Sequence, residues 1–361
     1  GGENTAAGKG LQVGQRQRAL DRAEMEDDAL RSSSRFGQKG GRHEGQGCWH
    51  NQGGDQGGQP TRSAADHAKH WRHQRRNGGV ERAQAAALDH SFAVDGRELG
   101  WAAGAHLRVL PPPAADLPCR HQAAAQAPLK WLRGYADRDG RLQLPLLHTA
   151  GGLVGGDRLD LSLELEAGSR ALLTSVAAQK VYGSVGRSRR TPAGAWARQK
   201  LHARLAAGAD LEWLPQELVL YADGLFAQSA RVELAPGASY LGAEVVRLGR
   251  SAAGETLAAG CWRSDLEIRR LGSSGPRWEL VDRLELGGAA LSGDHGLADA
   301  PVYGSLVWAA PKALSSERLA ALLAACRAAR QGLVGEMACG ALEQGVVARY
   351  RGPSTQAARY W

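Results

Sequence analysis

Arg158-Leu-Asp-Leu-Ser-Leu-Glu-Leu165-Glu-Ala-Gly168-Ser169 decides how the chain folds. Leu159, Leu161, Leu163 and Leu165 alternate with Asp, Ser and Glu, and a period of two puts all four on one face of a β-strand. Gly168 follows, and Leu172-Leu173-Thr174 begins a second apolar strand. The unit recurs. Leu205-Ala-Ala-Gly208-Ala leads into Leu211-Glu-Trp213, and Leu234-Ala-Pro-Gly237-Ala leads into Tyr240-Leu241. Each time a Leu stands three residues before a Gly, and Gly accepts the positive-φ corner that such a turn needs. These units predict stacked antiparallel hairpins in a sandwich or β-helix-like body. Their spacing is irregular, so a strict solenoid is not expected.

Downstream the same period continues. Leu266-Glu-Ile268-Arg and Trp278-Glu-Leu280-Val-Asp-Arg-Leu284-Glu-Leu286 alternate, residues 304–310 form an apolar run, and residues 346–350 read as a late strand stopped by Pro353. One segment breaks the pattern. Leu319, Leu322, Leu323 and Cys326 follow i, i+3, i+4, i+7, the stripe of an amphipathic helix. Ser315 or Ser316 suits its start and Gly332 its end. The expected class is mostly β (α+β), with one or two C-terminal helices.

Upstream the composition changes. Residues 1–90 are rich in Gly, Gln, Arg, Ser and His and poor in large apolar side chains, so they cannot bury enough surface to offset their ordering entropy. They read as a disordered or non-native extension. His67, His70 and His73 would share a face on a helix, a pattern also compatible with metal binding. Residues 91–126 are a transition without an assigned element, interrupted by Pro111-Pro112-Pro113. Residues 127–361 carry the β pattern.

Bulk properties exclude several classes. Five Cys is an odd count without a C-x-x-C pair, which argues against a disulfide framework or structural zinc and for free thiols in a reducing compartment. No apolar run reaches the roughly 18–20 residues that cross a bilayer, and no signal segment opens the chain. The chain reads as cytoplasmic, with no membrane partner. The formal charge of +8 is spread without a Lys/Arg block, so nucleic acid is not an expected partner.

Four polar constellations interrupt the strands. The first is Gly151-Gly152 and Gly155-Gly156, bracketed by His148 and Asp157. A phosphate loop needs a Lys and a hydroxyl after the second glycine, whereas Asp157 and Arg158 stand there, so the Gly pairs are expected to be structural corners. His148 and Asp157 are of a type that suits a borderline metal such as nickel. The second is Thr174, Ser175, Gln179 and Lys180, where Ser175 and Lys180 raise a Ser–Lys hydrolase without any nucleophile elbow. In the third, Glu212 and Glu217 flank Trp213-Leu-Pro215, and two carboxylates between apolar runs need a cation, a base or water if they point inward. The fourth is the Gly-bounded loop with Arg250 and Glu255, which could pair locally or contact a partner.

Together these residues resemble one family. His148-Thr-Ala-Gly-Gly-Leu-Val-Gly-Gly-Asp157, Thr174-Ser-Val-Ala-Ala-Gln-Lys-Val-Tyr182, Glu212-Trp-Leu-Pro-Gln-Glu217, Gly249-Arg250 with Gly254-Glu255, and Tyr350-Arg-Gly-Pro-Ser-Thr355 occur in the order found in the UreD (UreH) urease accessory proteins. The resemblance covers residues 127–361, and residues 1–126 do not carry the family's opening segment.

The resemblance implies a largely β scaffold without catalysis or a tightly bound cofactor. Its implied partners are apo-urease, the helical accessory protein UreF and, through UreF, the GTPase UreG. Nickel would be in transit. In that frame Glu212, Glu217, Asp223, Thr174 and Ser175 are the expected nickel path. His148, Gly151, Gly152, Gly155, Gly156, Asp157, Lys180, Tyr182, Pro215, Arg250 and Glu255 would hold loops or contact partners. Two other readings stand beside it. One is a β-sandwich ligand-binding module using Trp platforms, and the other is the Ser175/Lys180 hydrolase.

Overall fold

The computed structural model describes residues 100–361 except 115, 116 and 274. The readings of residues 1–90 and of the His67/His70/His73 spacing lie outside the described residues. The first strands are β1 (Ala102–Leu110), β2 (Arg120–Ala125), β3 (Leu129–Trp131), β4 (Tyr135–Ala136), β5 (Leu142–His148) and β6 (Arg158–Leu165). Next come β7 (Arg170–Ser175), β8 (Gln179–Val181), β9 (Ala197–Leu205), β10 (Asp210–Trp213), β11 (Leu218–Leu220) and β12 (Leu225–Leu234). The last are β13 (Ser239–Leu248), β14 (Cys261–Arg270), β15 (Arg277–Gly287), β16 (Val302–Ala309), β17 (Glu336–Leu342) and β18 (Gly345–Gly352). Helices α1 (Ala289–Ser292), α2 (Ser316–Ala328) and α3 (Thr355–Tyr360) complete the set. The class is therefore mostly β with helices toward the C-terminus.

Two sheets carry these strands. One runs β15-β14-β12-β9-β6-β1-β2. The other runs β17-β18-β16-β13-β10-β7-β5-β3, with β4 on β5 and β11 between β8 and β13. The strand–turn–strand units are not antiparallel hairpins. β6 lies in the first sheet and β7 in the second, and the same division holds for β9 with β10 and for β12 with β13. Each unit is instead one corner of a coil, and successive coils stack in parallel. The β-helix-like half of the expectation holds for this stretch. Antiparallel pairing flanks it, at β1–β2, β14–β15 and among β13, β16, β18 and β17.

The corner glycines explain the stacking. Gly168, Gly208 and Gly237 have φ of 70°, 67° and 75°, the left-handed region that costs a side chain energy. Gly168 N–H donates to the Ala207 carbonyl at 3.0 Å and Gly208 N–H to the Pro236 carbonyl at 3.2 Å, so each corner sits on the next. In register across the coils, Leu165, Leu205 and Leu234 form one buried row and Ala171, Leu211 and Tyr240 the facing one. Each fully buried Leu contributes about 1.5–3 kcal/mol. Period-two alternation is identical in parallel and antiparallel strands, so the pattern predicts the strands but not their partners.

Residues 91–126, unassigned by the pattern, supply β1 and β2. β1 adds parallel to β6, with Leu107 and Val109 fully buried. Ser315 caps α2 by accepting from the Arg318 N–H. The helix closes at Ala329, and Gly332 stands three residues further on, in the turn that follows it. Among the described residues no helix is long and apolar enough to cross a membrane.

Candidate functional site

Alternation in the stacked strands places polar groups inside the sandwich. Gln199 of β9 lies on the face of Ala197, Leu201 and Leu205, and Gln228 of β12 on that of Phe226, Val232 and Leu234. Ser264 of β14 follows Trp262 on its inward face. The registers put Gln199 beside Gln228 and Gln228 beside Ser264, a polar row across three parallel strands. From the opposite sheet, Glu244 of β13 shares the inward face of Tyr240, Val246 and Leu248.

Two cavities meet at this row. The larger, about 260 Å³, has Leu129, Leu146, Leu159, Leu161 and Phe226 among its walls, with His148, Ser175 and Lys180 toward the exposed Val176 and Ala177. The smaller, about 90 Å³, is lined by Ser264, Asp282 and Ser305 and reaches the exposed Asp265. Gln199, Trp213, Pro215, Gln228 and Glu244 line both. A water needs roughly 10–15 Å³ of such space and two to four polar partners, so both cavities have room for an ion with part of its hydration shell.

Glu244 is the carboxyl at the junction. Gln228 Nε2 donates to Glu244 Oε1 and, at 3.2 Å, to Ser264 Oγ. The surface Glu244 retains faces the cavities rather than bulk solvent. Burial pushes its pKa up to about 8, with Arg349 pulling the other way. Arg349 itself is held by Asp282 and Ser305. At neutral pH the carboxyl therefore keeps a proton that a cation would displace.

His148 ends β5 on the wall of the larger cavity. Its Nε2 is buried without a hydrogen-bond partner. Burial lowers its pKa against the pull of Asp157, which favours the neutral imidazole. Asp157 does not ligate beside it. Its Oδ1 accepts the Trp101 N–H and its Oδ2 the Val154 N–H, both at 2.9 Å, closing the Gly loop onto β1.

Gly152 and Gly155 of that loop are packing positions. A Cβ on Gly152 would lie 2.7 Å from the Tyr182 ring and 2.9 Å from the Lys180 carbonyl oxygen. Gly151 and Gly156 take positive φ. Tyr182 donates to the Gly151 carbonyl at 3.3 Å and meets Tyr221 edge-on.

The five residues expected along a nickel path are not brought together. Glu212 lies on the outer face of its sheet, bound to Arg141, which also pairs with Asp137 at 2.8 Å. Burial raises its pKa and Arg141 opposes that. Glu217 pairs with Arg359 of α3 at 2.8 Å. Asp223, at φ 63°, is a corner whose carbonyl accepts the Ser184 N–H and whose carboxylate faces Arg187 at 3.9 Å. Thr174 Oγ1 donates to the Leu214 carbonyl at 2.7 Å and Ser175 Oγ accepts the Gln216 N–H at 2.8 Å, so both fasten the Pro215 segment to β7. Of the five, Ser175 alone lines the cavities described here. Arg250 and Glu255 do pair, at 2.8 Å, and Arg250 lies over the Tyr221 ring. Among the described residues no cluster of three or more His, Cys, Asp or Glu is arranged to hold a metal.

The other two readings fail on geometry. Trp262 is fully buried and Trp213 lines the cavities, while the exposed Trp278 is on the edge strand β15 and the exposed Trp101 precedes β1, five strands away in the sheet order. No Trp platform forms among the described residues. Ser175 and Lys180 share a cavity wall, but the Ser175 hydroxyl is committed to the Gln216 N–H and the Ala177 carbonyl.

Comparison with known proteins gives the chain its family. Residues 104–361 match the family model described as UreD urease accessory protein, beginning ahead of the segment at 127 where the motifs start. A urease accessory protein UreD of Synechococcus sp. (strain CC9605) is 60% identical over 242 residues, 67% of this chain and 78% of its own. One of Prochlorococcus marinus (strain MIT 9303) is 60% identical over 241 residues, 67% of this chain and 81% of its own. The chain belongs to the UreD family of urease accessory proteins, which assist an enzyme rather than catalyse.

Proposed function

We propose that this chain is the scaffold through which nickel reaches apo-urease, with the metal moving through the interior between the two sheets. The observation that carries this reading is the pair of cavities meeting at Gln199, Gln228 and Glu244. Amide, hydroxyl and carboxyl oxygens, with one neutral imidazole at the wall, suit a dication held weakly enough to leave. The path therefore runs by His148, Ser175, Gln228, Glu244 and Ser264. Glu212, Glu217, Asp223 and Thr174 serve it indirectly, by fixing the loops and sheet around it.

The partners proposed are apo-urease on one side and UreF, carrying the GTPase UreG, on the other, in the cytoplasm. No resident cofactor is required, because nickel is cargo. The test is co-expression with urease subunits and the remaining accessory proteins, followed by nickel content and urease activity with and without this chain. Activity that depends on the chain is expected, and activation unchanged by its omission overturns the reading.

A further inference from the structure

Cys326 of α2 and Cys339 of the edge strand β17 lie where that helix packs on that strand. Cys339 is the neighbouring thiol that acts on Cys326. Cys339 Sγ also lies 3.7 Å from the Leu323 carbonyl, one turn before Cys326 on the same helix face. Both residues are partly accessible and both thiols are free. Neither takes part in the cavity route proposed above. We propose that Cys326 and Cys339 form a redox-modifiable dithiol that closes to a disulfide in the presence of oxidised glutathione.

The chemistry balances as two exchanges. The Cys339 thiolate attacks one sulfur of oxidised glutathione, forming a mixed disulfide and releasing one glutathione thiolate. The Cys326 sulfur then displaces the second glutathione, giving the Cys326–Cys339 bond and two reduced glutathiones in all. Burial and the neighbouring Cys339 push the Cys326 thiol up, which suits it to the second, intramolecular step rather than the first.

The bond would act on a weakly held element. No residue of α2 is fully buried, so the helix rests on the half-buried Leu319, Leu322, Leu323 and Cys326. The Cys326 carbonyl accepts Trp361 Nε1 at 2.7 Å, which ties α2 to the end of α3. A disulfide would fix this layer to the sheet edge and shorten the excursions of both helices.

Incubating the full chain with oxidised glutathione, alkylating it and digesting it with trypsin without reduction tests the proposal. Mass spectrometry is expected to find residues 319–327 joined to residues 331–349, a product that reduction abolishes. Hydrogen exchange in residues 319–328 should slow on oxidation of the wild type and stay unchanged in Cys326→Ser. Cys339→Ala serves as the second variant should Cys326→Ser fold poorly. No cross-link, separate glutathione adducts on the two cysteines, or linkage to Cys119 or Cys261 instead would overturn it.

Discussion

Gln228 of one sheet donates its side-chain amide to Glu244 of the other, and the two cavities meet where it does so. The bond spans the sandwich between a row of Ala197, Phe226 and Trp262 and a row of Leu201, Ala230 and Leu266. A carboxyl placed there is protonated in the folded chain at a pH where the unfolded chain has released its proton.

That proton makes stability depend on pH. The Glu244 pKa moves from 4.5 to about 8 on folding, so the folded state binds more protons between these values. Its contribution is complete below the lower value, declines as pH rises through the window, and is lost above the upper one, at roughly 1.4 kcal/mol per pH unit. Glu244→Gln keeps the shape and removes the titration. Denaturant melts from pH 5 to 9 should show the wild type losing stability relative to Glu244→Gln as pH rises. Parallel curves would show that the carboxyl does not titrate in this window.

The route and the outer carboxylates give opposite expectations for urease activation. Ala177→Trp places a large side chain at the exposed end of the larger cavity without touching a core strand. It should bring activation close to the level seen without the chain, with the melt unchanged. Glu212→Ala removes a partly exposed ion pair with Arg141, worth about 0–1 kcal/mol after solvent screening, and should activate normally. If Glu212→Ala fails while Ala177→Trp succeeds, the metal does not use the interior.

How much of this was legible follows from what each residue answers to. The alternating strands from β6 onward, a cap at Ser315 or Ser316 and the Gly corners obey local rules, and the sequence pattern predicts them, while β1 and β2 carry no such signal. Pairing does not, because the alternation in Leu159–Leu165 is the same whether β6 meets β7 or β9. The five polar residues singled out were conspicuous because they stand near strand ends or between strands, where side chains fasten loops, as Thr174 does to Leu214. Gln199, Gln228 and Glu244 are quieter. Each is one polar residue within an alternating strand, and its inward parity relative to Leu201, Val232 and Val246 was the available signal. That they converge required the register of β9 on β12 and the facing of two sheets.

Two kinds of glycine occur, one in the loop before β6 and one at the corner between β9 and β10. At Gly155 a Cβ would stand 2.7 Å from the Ala195 carbonyl and against the Ser184 hydroxyl. Gly155→Ala should cost about 1–3 kcal/mol through overpacking. At Gly208 the space is open and φ is 67°, so Gly208→Ala carries only the left-handed penalty of roughly 1–2 kcal/mol. Pairing each with a compensating change distinguishes them. Ser184→Gly should recover part of the loss at Gly155 and nothing at Gly208, measured by urea denaturation.

Arg270 and Glu279 close the far end of the sandwich as a buried ion pair at 2.8 Å. Arg270 also donates to the Ala238 and Ala310 carbonyls, and Glu279 accepts the Gln344 N–H at 2.7 Å. The cluster thereby joins β14 and β15 to the ends of strands in the other sheet. Glu279→Leu strands the guanidinium charge in the interior and should destabilise the fold by about 3–5 kcal/mol. Adding Arg270→Met removes that charge but leaves two buried carbonyls without a donor, each costing roughly 1–3 kcal/mol. The double variant should therefore recover only part of the loss in denaturant melts. Full recovery would mean that the pair holds no contact between the sheets beyond its own charges.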